Sequence, residues 1–243
     1  MVRQALVLFD IDGTLLIAGD RGHGRALLDA FREVYGLEPN IDGISFAGML
    51  DAQITRDLYR KHPVDHDEAE LRIADVMERT GQLYEQYLNR RSLVDRLLPG
   101  AAAAVDATGS RGWTTGALTG NARRVAELKL GAAGLGHVAK VGAFGDTAID
   151  RGHLVETALA SAEARLGVRY DARQTVLIGD TPRDIAAARH ASAGVVAVAT
   201  GRFNADTLAE LEPDALLDDL RDTDAFIGAV EATLGALRAR RSG

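Results

Sequence analysis

The 243-residue chain contains no cysteine, so disulfides and thiolate chemistry are excluded and a reducing cytoplasm is the simplest compartment to expect. Proline is scarce, at 5 residues, and aromatic residues make up only 5 %. No apolar run is long enough to span a bilayer. The run Leu6-Val7-Leu8-Phe9 near the N-terminus is too short for a signal peptide or a transmembrane helix. Nor is there a basic block, apart from Arg238 to Arg241, in a chain whose formal net charge is -7. That balance argues against nucleic acid or an acidic membrane as partner. An anionic ligand would have to be drawn by a local positive site.

What is present suits a soluble globular protein: 47 % hydrophobic and 26 % charged residues. The length allows one large α/β domain, or a core with a small second domain. Short continuous apolar runs at residues 4–9, 113–118, 175–178 and 194–199, with a weaker one at 139–144, read as strands buried on both faces. Helical patterns at 100–108, 121–130, 152–166, 182–191 and 222–239 separate them. This alternation predicts an α/β fold, a doubly wound, mostly parallel sheet.

Residues 22–92 break the rhythm. Ala26, Leu27, Ala30, Phe31 and Val34 mark one helix face, ended by Gly36. Ile54, Leu58 and Tyr59 mark a second helix. Leu71, Ile73, Ala74, Met77, Leu83, Tyr84, Tyr87 and Leu88 support one long helix or two shorter ones. The block reads as a helical cap domain over 18–96, inserted into a core of 1–17 and 97–243. The segments around Leu15–Gly19 and Leu93–Pro99 would be its hinges.

Three strand ends carry candidate chemistry. Asp10 and Asp12 follow the first strand, Gly13 lets the chain pass close to a ligand, and Thr14 offers a hydroxyl to a phosphate or a carboxylate. Gly179-Asp180-Thr181-Pro182-Arg183-Asp184 follows another buried strand. Pro182 suits the first turn of the next helix and Asp184 sits at the positive end of its dipole. Carboxylates converging at one sheet edge repel unless a cation joins them. Oxygen donors without nearby His or Cys suit Mg²⁺. Thr119-Gly120-Asn121, between a third strand and a helix, would make a phosphate cradle, or an ordinary helix cap.

These three motifs, in this order, resemble the haloacid dehalogenase superfamily over essentially the whole chain. The resemblance implies that Asp10 is phosphorylated, Asp12 is the general acid/base, Thr119 binds phosphate and Asp180 binds Mg²⁺ together with Asp10 and the backbone carbonyl of Asp12. Asp184 would support the metal. The cap position matches the class that includes phosphoglycolate phosphatase and β-phosphoglucomutase. One feature departs from the pattern. The third-motif cation is usually Lys, and here Arg151 is the candidate, with Lys140 as rival at the wrong end of its strand.

The reading that follows is a Mg²⁺-dependent phosphatase acting on a small phosphorylated metabolite. Arg21 and the loop Phe46–Asp51, including Asp51 itself, are cap candidates for substrate contact. A phosphomutase shares these motifs. A dehalogenase acting at carbon would leave Asp12 unexplained, and a non-catalytic binding protein should have lost some of these positions. His62 and His66 flank Pro63 and read as a cap loop rather than a metal pair; Trp113 and the tyrosines read as core.

Overall fold

The computed structural model describes residues 4–146 and 150–239, so Arg240 and Arg241 of the basic tail lie outside the described residues. Strand β1 (Leu6–Phe9) is followed by four helices: α1 (Arg21–Tyr35), α2 (Asp51–Tyr59), α3 (His66–Leu71) and α4 (Ile73–Leu88). Then come α5 (Ala101–Ser110), β2 (Thr114–Leu118), α6 (Arg123–Ala132), β3 (Gly142–Ala143) and α7 (Leu154–Leu166). The chain continues through β4 (Thr175–Gly179), α8 (Pro182–His190), β5 (Gly194–Val198), α9 (Ala205–Ala209), β6 (Ala215–Leu217) and α10 (Thr223–Ala239).

The six strands form one parallel sheet in the order β3-β2-β1-β4-β5-β6. Alternation along β1 explains why both faces are covered. Val7 and Phe9 join one core layer with Ala101, Ala104 and Val105 of α5, Leu130 of α6 and Phe226 and Val230 of α10. Leu6 and Leu8 join the opposite layer with Leu154 and Ala158 of α7 and Ile185 and Ala188 of α8. The strand order reverses at β1, which lies between β2 and β4. The crevice at the carboxyl ends of these three strands is where a doubly wound sheet binds ligands.

Helices α1 to α4 build a separate apolar cluster around Leu27, Phe31, Leu58, Val76 and Tyr84, against which Ala122 and Val125 at the start of α6 also pack. Asp20 caps α1 by accepting from the backbone N–H of Gly22 and His23, and Gly36 ends it in the left-handed conformation. The two connecting segments run together. Leu16 and Leu97 form an antiparallel bridge, Ile17 N–H donates to Arg96 C=O, and Leu98 N–H donates to Leu15 C=O.

Of the two options for the apolar pattern over 71–88, the structure shows two helices, broken at Arg72. Two local expectations are corrected. Leu71 is exposed rather than packed. The run 139–144 begins inside a 3-10 turn, Val138–Lys140, and only Gly142 and Ala143 pair as an edge strand. Helix α9 and edge strand β6 had no signal, being 5 and 3 residues long among charged neighbours. Among the described residues, no helix is long and apolar enough to cross a membrane.

Candidate active site

The sheet delivers the sequence candidates to one place. Asp10 leaves β1, its backbone N–H still bonded to Ile178 C=O of β4, and Asp180 leaves β4 beside it. Asp184 enters from the first turn of α8, where it and Thr181 form a reciprocal capping box with Pro182 at the first helical position. Carboxylate oxygens of Asp10, Asp180 and Asp184 all lie within 4.8 Å of one another, and all three residues are buried. Two glycines wall them in. A Cβ on Gly13, whose φ is +96°, or on Gly201, would overlap the Asp180 carboxylate. Thr14 resolves its two sequence options toward the carboxylate, donating its hydroxyl to Asp180 Oδ1 at 3.1 Å.

Arg151, buried at the 3-10 turn before α7, is the cation of this cluster. One guanidinium N–H lies 2.9 Å from Asp10 Oδ2, and the same group makes a fork to Asp184 Oδ1, with Nε at 3.1 Å. Lys140 is exposed on its turn and does not line the cavity. Burial raises the Asp10 carboxyl to about 7, against the lowering effect of Arg151 and with a further rise from Asp184. Burial likewise raises Asp180, to about 8, reinforced by the charges of Asp10 and Asp184. When all three carboxylates are ionised, the single guanidinium leaves two negative charges in a pocket whose anionic donors are all oxygen. That donor set fits a hard divalent cation held by Asp10 and Asp180, with Asp184 beside them.

Asp12 faces a different set of partners. Lys129 Nζ donates to Asp12 Oδ1 at 2.8 Å and Oδ2 at 2.6 Å, to Asn121 Oδ1 at 2.9 Å, and lies 3.3 Å from His23 Nδ1. Asn121 Nδ2 donates to Asp12 Oδ2 at 2.8 Å and to Thr119 Oγ1 at 2.7 Å. His23 Nε2 lies 2.9 Å from Asp51 Oδ2, which also accepts from Ala122 N–H at 2.7 Å. A continuous polar chain thus runs from Asp51 and His23 in the helical block, through Lys129 of α6, to Asp12. Burial acts to raise the Asp12 carboxyl, but the charges of Lys129 and His23 and the bonds from Lys129 and Asn121 outweigh it and hold it below the ordinary range.

The remaining candidates divide. Thr119 and Gly120 line the cavity, with Gly120 C=O accepting from Asp51 N–H. Asn121 is turned toward Asp12 and Lys129, and Asp51 toward His23 and the start of α6. Arg21 is exposed at the first position of α1 and lines the same cavity of about 740 Å³. His66 begins α3 and its ring lies against Tyr59, outside the cavity. Trp113, Tyr59, Tyr84 and Tyr170 are buried.

Sequence reasoning missed Lys129, His23 and the loop Thr200-Gly201-Arg202 after β5, all of which line the cavity. Lys129 did carry a signal. It falls four residues after Val125 and one before Leu130, on the apolar face of α6, where a lysine is out of place unless paired.

The family model for haloacid dehalogenase-like hydrolases matches residues 5–192. The chain belongs to that family of hydrolases. No curated protein matches the sequence. Among solved structures it is similar to a phosphonoacetaldehyde hydrolase-like protein from Oleispira antarctica, at 17 % identity and TM-score 0.65, covering 96 % of this chain and 94 % of that one. It is also similar to β-phosphoglucomutase from Clostridium difficile, at 16 % identity and TM-score 0.64, covering 93 % and 96 %. A third similar structure is a predicted phosphatase from Clostridium acetobutylicum, at 15 % identity and TM-score 0.62, covering 93 % and 98 %. At these identities the likeness speaks for the fold.

Proposed function

We propose that this protein is a Mg²⁺-dependent phosphatase of a small phosphomonoester, acting through an aspartyl-phosphate on Asp10. The observation that carries the reading is the separation of two carboxylates, two residues apart, into opposite environments. Asp10 sits with Asp180, Asp184 and Arg151 where a metal and a phosphate would be held. Asp12 sits in its own cationic and amide network, set up for proton transfer.

Asp10 attacks phosphorus in line; its bond to phosphorus forms as the ester P–O bond breaks. Arg151 aligns Asp10 and offsets the charge of the incoming phosphate, as does Thr119 through its hydroxyl at the end of β2. Asp10 and Asp180 would hold the metal, which would supply the charge neutralisation that lets two anions approach. Asp12 is a carboxylate in the free enzyme. A phosphate entering beside it raises its affinity for a proton, which it takes from solvent water and then passes to the leaving alkoxide. In the second half Asp12 takes a proton from the water that cleaves the Asp10–phosphate bond. Lys129 and Asn121 hold Asp12 in place throughout. The helical block acts as a cap over 18–96, and the polar chain from Asp51 to Asp12 couples its position to the acid/base group. A reducing cytoplasm is the simplest compartment for a chain without cysteine.

Release of inorganic phosphate from a panel of phosphomonoesters, in Mg²⁺ and in EDTA, tests the proposal. Turnover in Mg²⁺, loss in EDTA and loss in a folded Asp10→Asn variant are expected. Transfer of phosphate between positions of a sugar without phosphate release would replace it with a phosphomutase.

A further inference from the structure

The cavity above the catalytic carboxylates has a polar floor and an apolar wall. Ile17, Leu27, Leu28, Phe46, Met49 and Ile54 supply the wall, all from the helical block and its entry segment. Ile17 and Phe46 are 46 % and 37 % exposed, among the few large apolar side chains that the fold leaves open to solvent. Soluble proteins keep such groups exposed in a concave site when a ligand covers them.

The polar side chains around the same space are already engaged. Asp20 accepts from the start of α1 and from Tyr84 Oη. His23 lies between Asp51 and Lys129, Asn121 is held by Asp12 and Lys129, Thr181 bonds Asp184, and Thr200 donates to Gly13 C=O. Among the described residues, only Arg21 and Arg202 line the cavity as charged side chains without a partner. Arg202 follows Gly201, which abuts Asp180, so its backbone starts beside the carboxylates. Arg21 shares a face of α1 with Leu28, seven residues on, and so belongs to the apolar wall. A polyhydroxylated leaving group would enter a space with few free partners and lose its hydrogen bonds to water.

We propose that the substrate is a phosphomonoester whose alcohol part is mainly hydrocarbon, covered by Ile17, Leu28, Phe46 and Met49, and carries an anionic group that pairs with Arg21. This rests on the phosphatase reading above and narrows its substrate class.

The test compares kcat/KM across n-alkyl phosphates from methyl to hexyl, 6-phosphooxyhexanoate, glycerol 3-phosphate and glucose 6-phosphate, with acetyl phosphate as a control for the core chemistry. Each methylene should raise kcat/KM about threefold to fourfold until the wall is covered, and hexyl phosphate should exceed glucose 6-phosphate. The terminal carboxylate of 6-phosphooxyhexanoate should add to this, and Arg21→Gln should bring the ratio of kcat/KM for 6-phosphooxyhexanoate to that for hexyl phosphate down to about one. Leu28→Asp should lower the ratio of kcat/KM for hexyl phosphate to that for methyl phosphate. Hexylphosphonate should inhibit acetyl phosphate hydrolysis more strongly than methylphosphonate. Acetyl phosphate turnover with no dependence on chain length, or with glucose 6-phosphate as the best ester, overturns the apolar-substrate proposal and leaves the phosphatase reading standing. No phosphate release from acetyl phosphate or any ester ends both.

Discussion

Replacing Lys129 by methionine keeps the length of the side chain and removes its charge. Lys129 is 1 % exposed and holds both oxygens of Asp12, whose side chain is 27 % exposed. Breaking a fully buried ion pair by removing one partner costs about 3–5 kcal/mol. Asp12 retains its Asn121 bond and some access to water, so a loss of about 2–3 kcal/mol is expected at neutral pH. In a chain of this size that is a fall in Tm of roughly 5–10 °C. The sign with pH follows from Asp12, whose folded value is depressed below an unfolded value of about 3.9. Its contribution is present above that unfolded value and is lost as pH falls through the folded one, so the gap between wild type and Lys129→Met narrows in acid. In catalysis the variant loses the group that aligns the proposed acid/base carboxylate. Alkyl phosphates, whose leaving alkoxide needs a proton, should lose about 100-fold in kcat/KM, which reports the steps up to departure of the alcohol, while p-nitrophenyl phosphate, whose leaving group needs none, should lose under about tenfold. Urea melts at two pH values and paired kcat/KM measurements provide the assay. Equal losses for the two esters, or a variant as active as wild type on both, would refute the assigned role of Lys129.

Three further expectations test other parts of the site. Gly201→Ala pushes a methyl group into the Asp180 carboxylate, and should weaken Mg²⁺ binding at least about tenfold by titration calorimetry while the circular dichroism spectrum is kept. In metal-free protein the carboxyls of Asp10 and Asp180 are raised to about 7 and about 8. The stability they contribute is present in acid and lost as pH rises through those values, so Tm in EDTA should fall between pH 5 and 8.5, and Mg²⁺ should recover it at the upper end. Asp51→Ala deletes both the acceptor for Ala122 N–H at the start of α6 and the partner of His23; a loss of about 1–2 kcal/mol in urea unfolding is expected, with a raised KM from poorer docking of the helical block.

The sequence disclosed the elements that are buried on both faces and concealed those at the edges. β1, β4 and β5 are runs of large apolar residues because helices cover both sides of them, and the carboxylates that follow are displayed at a predictable end. β6 lies at the sheet margin, only partly buried, between Asp214 and Asp218, so its three residues carry no pattern of their own. Arg151 was legible because its helix begins beside the site. Lys129 and His23 were harder to see, since their meaning depends on α1 and α6 meeting over Asp12, a contact between segments 106 residues apart. Asn121 and Asp51 show the same limit. Their positions were found from strand and loop ends, while their bonding to Asp12 and His23 is a property of the assembled cavity.

Asp10 as nucleophile is the central assignment. The most direct measurement is acid quench during turnover of a phosphomonoester in Mg²⁺, followed by peptide mass spectrometry. A phosphate adduct on the peptide bearing Asp10, formed at a rate no slower than kcat and absent in Asp10→Asn, is the predicted result. Turnover with no adduct at any time point, or an adduct on another residue that persists in Asp10→Asn, would contradict it.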